Sequence, residues 1–315
     1  MHDHSHNHSH HNHDDGHGHH HHHVTPADAT NKAFIAGIIL NSIYVIVQIG
    51  AGIYTNSIAL LSDAGHNLGD VASLALSLIA FKLAKVKPSG DYTYGYKKTT
   101  ILASLTNAVI LLITIGILGF EAIVRLRNPQ PVEGGIVAWV SGLGIIINGI
   151  SALFFLRNKD HDLNNKGAYL HLLTDAMVSL GVVVAGVIIY FTHWYWLDGV
   201  VSLIVLAIIL SGTWHLLTDS LKLSMDAVPP GLDVLEIEKK LMNVKGVENI
   251  HHVHIWAMST TENALTTHLV LDKSLTFDEK MKVVHNIKHK LLHENIQHAT
   301  IELESAEMPC EDDDC

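Results

Sequence analysis

Six stretches of this chain are apolar enough and long enough to leave water altogether. A helix needs about 20 residues to cross ~30 Å of hydrocarbon. Residues 33–54, 58–83, 100–125, 134–156, 165–192 and 196–221 all meet that length. The breaks fall at Thr55-Asn56, Lys87-Pro88-Ser89-Gly90, Asn128-Pro129-Gln130-Pro131, Asn158 to Asn165 and Thr192-His193, where turn-forming residues collect. Several of these connections are short, which makes successive helices antiparallel neighbours. The pattern predicts a membrane α-helical bundle of six transmembrane helices over residues 31–222. Composition agrees, because only 16% of the 315 residues are charged, against about 25% in soluble proteins.

Basic residues in the loops set the orientation. With the N-terminus in the cytoplasm, Lys32, Lys82, Lys85, Lys87, Lys97, Lys98, Arg157, Lys159, Lys166 and Lys222 lie inside, and only Arg125 and Arg127 outside. Both termini are therefore expected in the cytoplasm. Trp194 and Trp196 then fall at the outer interface.

The flanks are of a different character. Residues 1–23 hold 13 of the 26 histidines, mixed with Asp, Asn, Ser and Gly. They lack the apolar core of a signal peptide, and residues 1–30 read as a disordered, metal-binding cytoplasmic tail. Beyond Met225 to Pro230 the hydrophobic period changes. An amphipathic helix is expected over 231–243, strands over 250–256 and 265–271, a helix over 276–294 capped by Thr276 and Glu279, and a strand over 299–303. This αββαβ order predicts a C-terminal cytoplasmic α+β domain, ferredoxin-like and open-faced, over 223–305. An acidic tail with Cys310 and Cys315 closes the chain over 306–315.

The net charge is −11, and from Leu223 onward 17 acidic residues face 8 lysines. No basic face suited to a phosphate backbone remains, so nucleic acid is excluded as a partner. Two cysteines in the last six residues form no disulfide framework in the body of the protein. Neither a phosphate-binding P-loop nor a dinucleotide fingerprint is present.

Ionisable groups inside apolar spans are costly and point to function. Asp63-Ala-Gly-His66-Asn-Leu-Gly-Asp70 in the second span sets His66 and Asp70 four residues apart. His171-Leu-Leu-Thr-Asp175 repeats that spacing in the fifth. A gap of four puts both side chains on one helix face, one turn apart. Two facing helices would deliver two imidazoles and two carboxylates, an N₂O₂ set suited to tetrahedral zinc. The carboxylates neutralise a divalent charge, and cadmium and cobalt fit the same donors. Asp63, seven residues before Asp70, is expected behind the ligands or at their entrance.

Other polar residues read as structural. Glu121 and Arg125 are spaced as a helical ion pair. Asn41, Gln48, Asn107 and Asn148 suit hydrogen bonds between helices. His215 and Asp219 share the four-residue spacing near the cytoplasmic end of the sixth span. His285, His289 and His293 form a solvated stripe on one helix. On alternation alone, His252 and His254 share one strand face and His251 takes the other.

With these residues in hand, the chain resembles the cation diffusion facilitator family, in its zinc-transporting branch. The resemblance rests on Ser62 to Asp70, His171 to Asp175, Tyr94-Gly-Tyr, Glu121-Ala-Ile-Val-Arg-Leu and Val253-His-Ile-Trp256, and spans about residues 30–305. It implies a homodimer that exchanges cytoplasmic zinc for protons by alternating access. His66, Asp70, His171 and Asp175 would ligate the transported ion. It further implies metal-binding residues in a metallochaperone-like cytoplasmic domain, at His251, His268 and either His298 or Glu302. A charge interlock between the loop after the second span and the start of that domain would match Lys98 and Asp226. Asp91 to Lys97 carries no histidine, so the additional loop site of some relatives is not expected.

The expected function is proton-coupled zinc efflux from the cytoplasm through a bacterial inner membrane. A membrane zinc sensor would use the same ligands without moving the ion. An intramembrane zinc enzyme is disfavoured, because four protein ligands leave no open position for water and the His-Glu-x-x-His motif is missing.

Overall fold

A computed structural model describes residues 32–156 and 163–304. The His-rich segment, the tail with Cys310 and Cys315, and Arg157 and Lys159 lie outside the described residues. So does the side chain of His171, although its backbone lies within a helix.

The apolar segments form α1 (Lys32–Thr55), α2 (Ile58–Ala84), α3 (Thr99–Arg127), α4 (Gly134–Leu156), α5 (Leu163–Thr192) and α6 (Trp196–Ser224). Five of them are long and apolar enough to cross a membrane, and the described side chains of α1 add a shorter apolar stretch, Ile39–Thr55. α2 is the hub, packing against α1, α3, α5 and α6, while α4 packs chiefly on α5 and α3 on α6. Gly134 and Gly186 let α4 and α5 approach closely: a Cβ on Gly186 would stand 2.8 Å from the Gly134 carbonyl oxygen and from the Ala138 nitrogen.

Polar pins fix the helix ends. Ser57 caps α2 by accepting from the Leu60 amide at 3.1 Å. Asp198, in the first turn of α6, accepts from the Ser57 hydroxyl and from the Ile58 amide at 2.7 Å. Its carboxylate thus finishes the cap of a helix some 140 residues away. Arg125 of α3 reaches its own Glu121 at 3.0 Å, as the spacing predicts. It also holds both the Asn56 carbonyl (2.5 Å) and the Asn56 side chain (2.6 Å). Asn56 sits in the α1–α2 turn with φ of 58°, a left-handed conformation that Asn tolerates.

Beside this end of the bundle lies an apolar cluster of Ala59, Val132, Val137, Val178, Val182, Ile189, Val205, Leu206 and Ile209. It joins the start of α2 and α4 to the second half of α5 and the first half of α6. This is the far end, opposite the C-terminal domain. Of the asparagines expected to bridge helices, Asn148 is buried with neither side-chain atom hydrogen-bonded, and the Asn107 oxygen is likewise unpaired. Gln48 does bridge, donating to Asp63 at 2.7 Å.

The C-terminal domain contains α7 (Val234–Met242), β1 (Val247–Ala257), β2 (Asn263–Leu271), α8 (Phe277–His293) and β3 (Ile296–Glu304), in the expected αββαβ order. α7 starts three residues later than the spacing suggests, because Asp233 is the cap, accepting from the Leu235 amide at 2.8 Å. The sheet order is β1-β2-β3, with β1 antiparallel and β3 parallel to β2. α7 and α8 cover one face through Ile237, Leu241, Ile287 and Leu291, packed on Leu265 and Leu269. Each such buried side chain contributes about 1.5–3 kcal/mol, so this layer holds the domain together. The opposite sheet face carries the histidines.

Candidate metal centres

Two groups of described side chains have the geometry of metal ligands, one inside the bundle and one on the open sheet face.

In the bundle, packing of α2 on α5 brings His66 Nε2 to 2.9 Å from Asp175 Oδ1 and 4.0 Å from Asp70 Oδ2. One donor atom from each residue lies within 4.8 Å of the other two. Ligands about 2.0–2.1 Å from a tetrahedral zinc stand roughly 3.4 Å apart, so opening the 2.9 Å gap and closing the 4.0 Å one, each by about half an ångström, would seat the ion. His171 lies one turn before Asp175 on α5. Of the four residues singled out from the sequence, the structure brings three together.

Asp63 does not join them. It is 1% exposed, and its Oδ2 accepts from Gln48 at 2.7 Å and from Ser179 at 3.3 Å. Asn67 donates to Gln48 Oε1 at 3.0 Å, which extends the network. Exposure then rises along α2, from Asp63 to the side chains of His66 at 18% and Asp70 at 29%. The rise points toward the end that meets the C-terminal domain. The apolar cluster lies beyond the ligand cluster, on the far side from the domain.

On the sheet, register decides the site. His251 pairs with His268, His268 with Glu302, and Val270 with Glu304. His251 Nε2 stands 3.0 Å from one Glu304 oxygen, and His268 Nδ1 2.5 Å from the other. Glu302 is more distant, 3.7 Å from His268 Nε2, and exposed. His251 Nδ1 and Glu304 Oε2 are buried without a hydrogen bond, a cost that a bound ion would relieve.

Strict alternation misplaces His251, which joins His252 and His254 on the open face. The β1 register shifts between His251 and His254, and His252 has φ of 51°. That bulge turns its ring onto the cluster, 4.9 Å from the His268 ring and 5.1 Å from that of His251. The expectation that His251 takes the face opposite His252 is thus overturned, and the described donor set is His251, His268 and Glu304, with the His252 ring packed beside it. These residues fit zinc or a similar ion, as nitrogen donors with one carboxylate.

His298 is corrected as well. It pairs with Ala264 at the opposite end of β2, six residues before Glu304, and its ring packs edge-on against Tyr94 at 5.4 Å. It belongs to the junction between the domains. There Lys97 meets Glu262 at 2.5 Å, Lys98 meets Asp226 at 2.7 Å, and the Thr260 amide donates to Thr100 Oγ1 at 3.0 Å. The Lys98–Asp226 pair was expected; Lys97–Glu262 was not, since nothing local links residues 165 apart. Glu304 had a legible signal, because Glu302 and Glu304 share one strand face. Without the register that signal could not be used.

A family model described as cation efflux transmembrane domain matches residues 34–223, and one described as cation efflux protein, cytoplasmic domain, matches residues 229–306. The chain is 37% identical over 280 residues to a Bacillus subtilis (strain 168) protein named cadmium, cobalt and zinc/H(+)-K(+) antiporter, covering 88% of this chain and 90% of that one. It is 37% identical over 277 residues to the metal cation efflux system protein CzcD of Cupriavidus metallidurans, covering 87% and 86%. It is 34% identical over 275 residues to the zinc transporter ZitB of Escherichia coli (strain K12), covering 86% of each.

Proposed function

The chain belongs to the cation efflux family, the cation diffusion facilitators, a family of transporters and not of enzymes, and from that premise we propose that it exports zinc from the cytoplasm in exchange for protons. The observation that carries the reading is the meeting of His66 and Asp70 of α2 with Asp175 of α5 inside the membrane-spanning bundle. His171 completes the ligand set as the fourth donor. The names of the relatives support zinc, with cadmium and cobalt as further cargo.

Proton coupling follows from the ligands. Imidazole binds the ion only when neutral and carboxylate only when ionised, so zinc arriving from the cytoplasm displaces protons. When the site opens to the far side, protons taken up there compete for the same atoms and release the ion. His66 and His171 are the natural carriers, since the same ring nitrogen holds either the ion or a proton. Asp63 stands behind the site, and its Gln48 and Ser179 bonds hold α1 and α5 in place around it. The domain-side exposure of Asp70, with the apolar cluster beyond, corresponds to the cytoplasm-facing state of the cycle.

His251, His268 and Glu304, with His252 beside them, form a regulatory site of the cytoplasmic domain. Metal there draws two copies of the chain into a tighter homodimer, and Lys98–Asp226 ties that movement to the membrane helices. The excess of basic residues in one set of loops supports cytoplasmic termini, with the bundle in a bacterial inner membrane.

The test is zinc uptake into proteoliposomes under an imposed pH gradient, for wild type and Asp175→Ala. Gradient-driven uptake that disappears in the variant is expected. Binding without uptake would favour a membrane zinc sensor, and uptake indifferent to pH would remove the proton coupling.

A further inference from the structure

The spans of α1–α6 contain six acidic residues: Asp63, Asp70, Glu121, Asp175, Asp198 and Asp219. Five of them have a hydrogen-bond or ion-pair partner. Asp219 has none among the described residues. An unpaired carboxylate on a membrane helix is costly and needs an explanation.

The pentapeptide that ends at Asp219 supplies one. His215-Leu-Leu-Thr-Asp219 of α6 is identical, residue for residue, to His171-Leu-Leu-Thr-Asp175 of α5. α5 begins at the domain end with Leu163, and α6 finishes at that end with Ser224. His171 is eight residues into α5 and His215 nine residues before the end of α6. At 1.5 Å per residue, the two backbone positions lie about 12–14 Å from the domain-side helix ends. The same donors at the same spacing therefore recur at similar depth on a second helix, on the domain side of the apolar cluster.

His215 is also set for ligation. Its Nδ1 lies 2.9 Å from the Ser211 carbonyl oxygen. A carbonyl only accepts, so the neutral ring carries its proton on Nδ1 and leaves the Nε2 lone pair bare. The side chain is exposed, not packed into the core. Four residues on, Asp219 has its Cβ about 5–6 Å away on the same face, within span of one ion held by both.

The geometry points to a second divalent-metal site, formed by His215 Nε2 and the Asp219 carboxylate at the domain-side end of α6, with water completing the coordination. Two protein ligands bind weakly and release quickly, which suits capture of an ion on its way to the buried ligands. The binding stands independently of the transport reading; only its place upstream of the transport site rests on it.

Trp214, beside His215 and 57% exposed, provides a local reporter. Full-length protein in lipid nanodiscs is titrated with Co²⁺, and the Trp214 emission is isolated as the difference between wild type and Trp214→Phe. Saturable quenching is expected, reversed by a chelator and kept in Asp175→Ala. His215→Gln and Asp219→Asn each should raise the half-saturating Co²⁺ about tenfold or more, as loss of a ligand does. Quenching unchanged in both variants, or quenching abolished by Asp175→Ala, overturns the site. In proteoliposomes His215→Gln should raise the half-saturating zinc concentration about five- to tenfold at a retained saturated rate. A lower saturated rate at unchanged half-saturation would mean a merely structural residue. Absence of uptake in the wild type, with Trp214 quenching intact, would discard the transport reading and leave the α6 site standing.

Discussion

His298 and Glu304 lie on the same strand and the same sheet face, and only Glu304 reaches the imidazoles. Their separation of six residues is about 20 Å of strand, so one ion cannot use both. Glu304→Ala should weaken zinc binding at the sheet cluster by roughly 10–100-fold, while His298→Ala should leave it unchanged. Competition with a chromophoric chelator on the full-length protein measures both, and the reverse order would remove Glu304 from the site. His251 makes the same point through the backbone: the bulge at His252, with its positive φ, puts both rings on the face of His268 where alternation would separate them.

At the scale of elements, the helix ends carry the specificity. Asp198 completes the α2 cap from another helix, and Asp198→Ala would strand the Ser57 hydroxyl and the Ile58 amide in a dry environment. A loss of about 1–2 kcal/mol is expected from the cap, seen as a lower Tm in detergent; an unchanged Tm would contradict the pinning role. In α8 the capping box forms as the sequence indicates, with the Thr276 amide (2.9 Å) and hydroxyl (2.8 Å) donating to Glu279. These bonds hold the Glu279 carboxyl below its ordinary range, the amide contributing most. A folded-state value below the unfolded one stabilises α8 above the ordinary glutamate range. That contribution is lost as pH falls through the lowered value. Hydrogen exchange in the first turn of α8 should therefore accelerate on mild acidification, and Glu279→Gln should remove that response.

For the whole molecule, the decisive feature is the junction of the α2–α3 loop and the start of α3 with the β1–β2 loop. Lys97–Glu262 is partly exposed, and such a pair alone contributes about 0–1 kcal/mol. Its value is positional, because Thr100–Thr260, Tyr94–His298 and Lys98–Asp226 act beside it. Glu262→Lys should broaden the distance distribution between spin labels on the two loops, and adding Lys97→Glu should narrow it again. A single variant as narrow as wild type would show that this pair does not hold the domains together.

Local order in the chain was sufficient to read the six apolar helices, the αββαβ succession, the capping box of α8 and the paired His and Asp spacings. Each depends on contacts within a turn or a pleat, and periodicity records those directly. Tertiary structure alone decided that α2 faces α5 and brings His66 to Asp175, and that Asp198 caps a helix far away in sequence. It also selected Glu304 over His298 through the strand register, and set His251 and His252 on one face at a bulge. These outcomes depend on chain closures over tens to more than a hundred residues, where packing and not local spacing chooses which side chains meet.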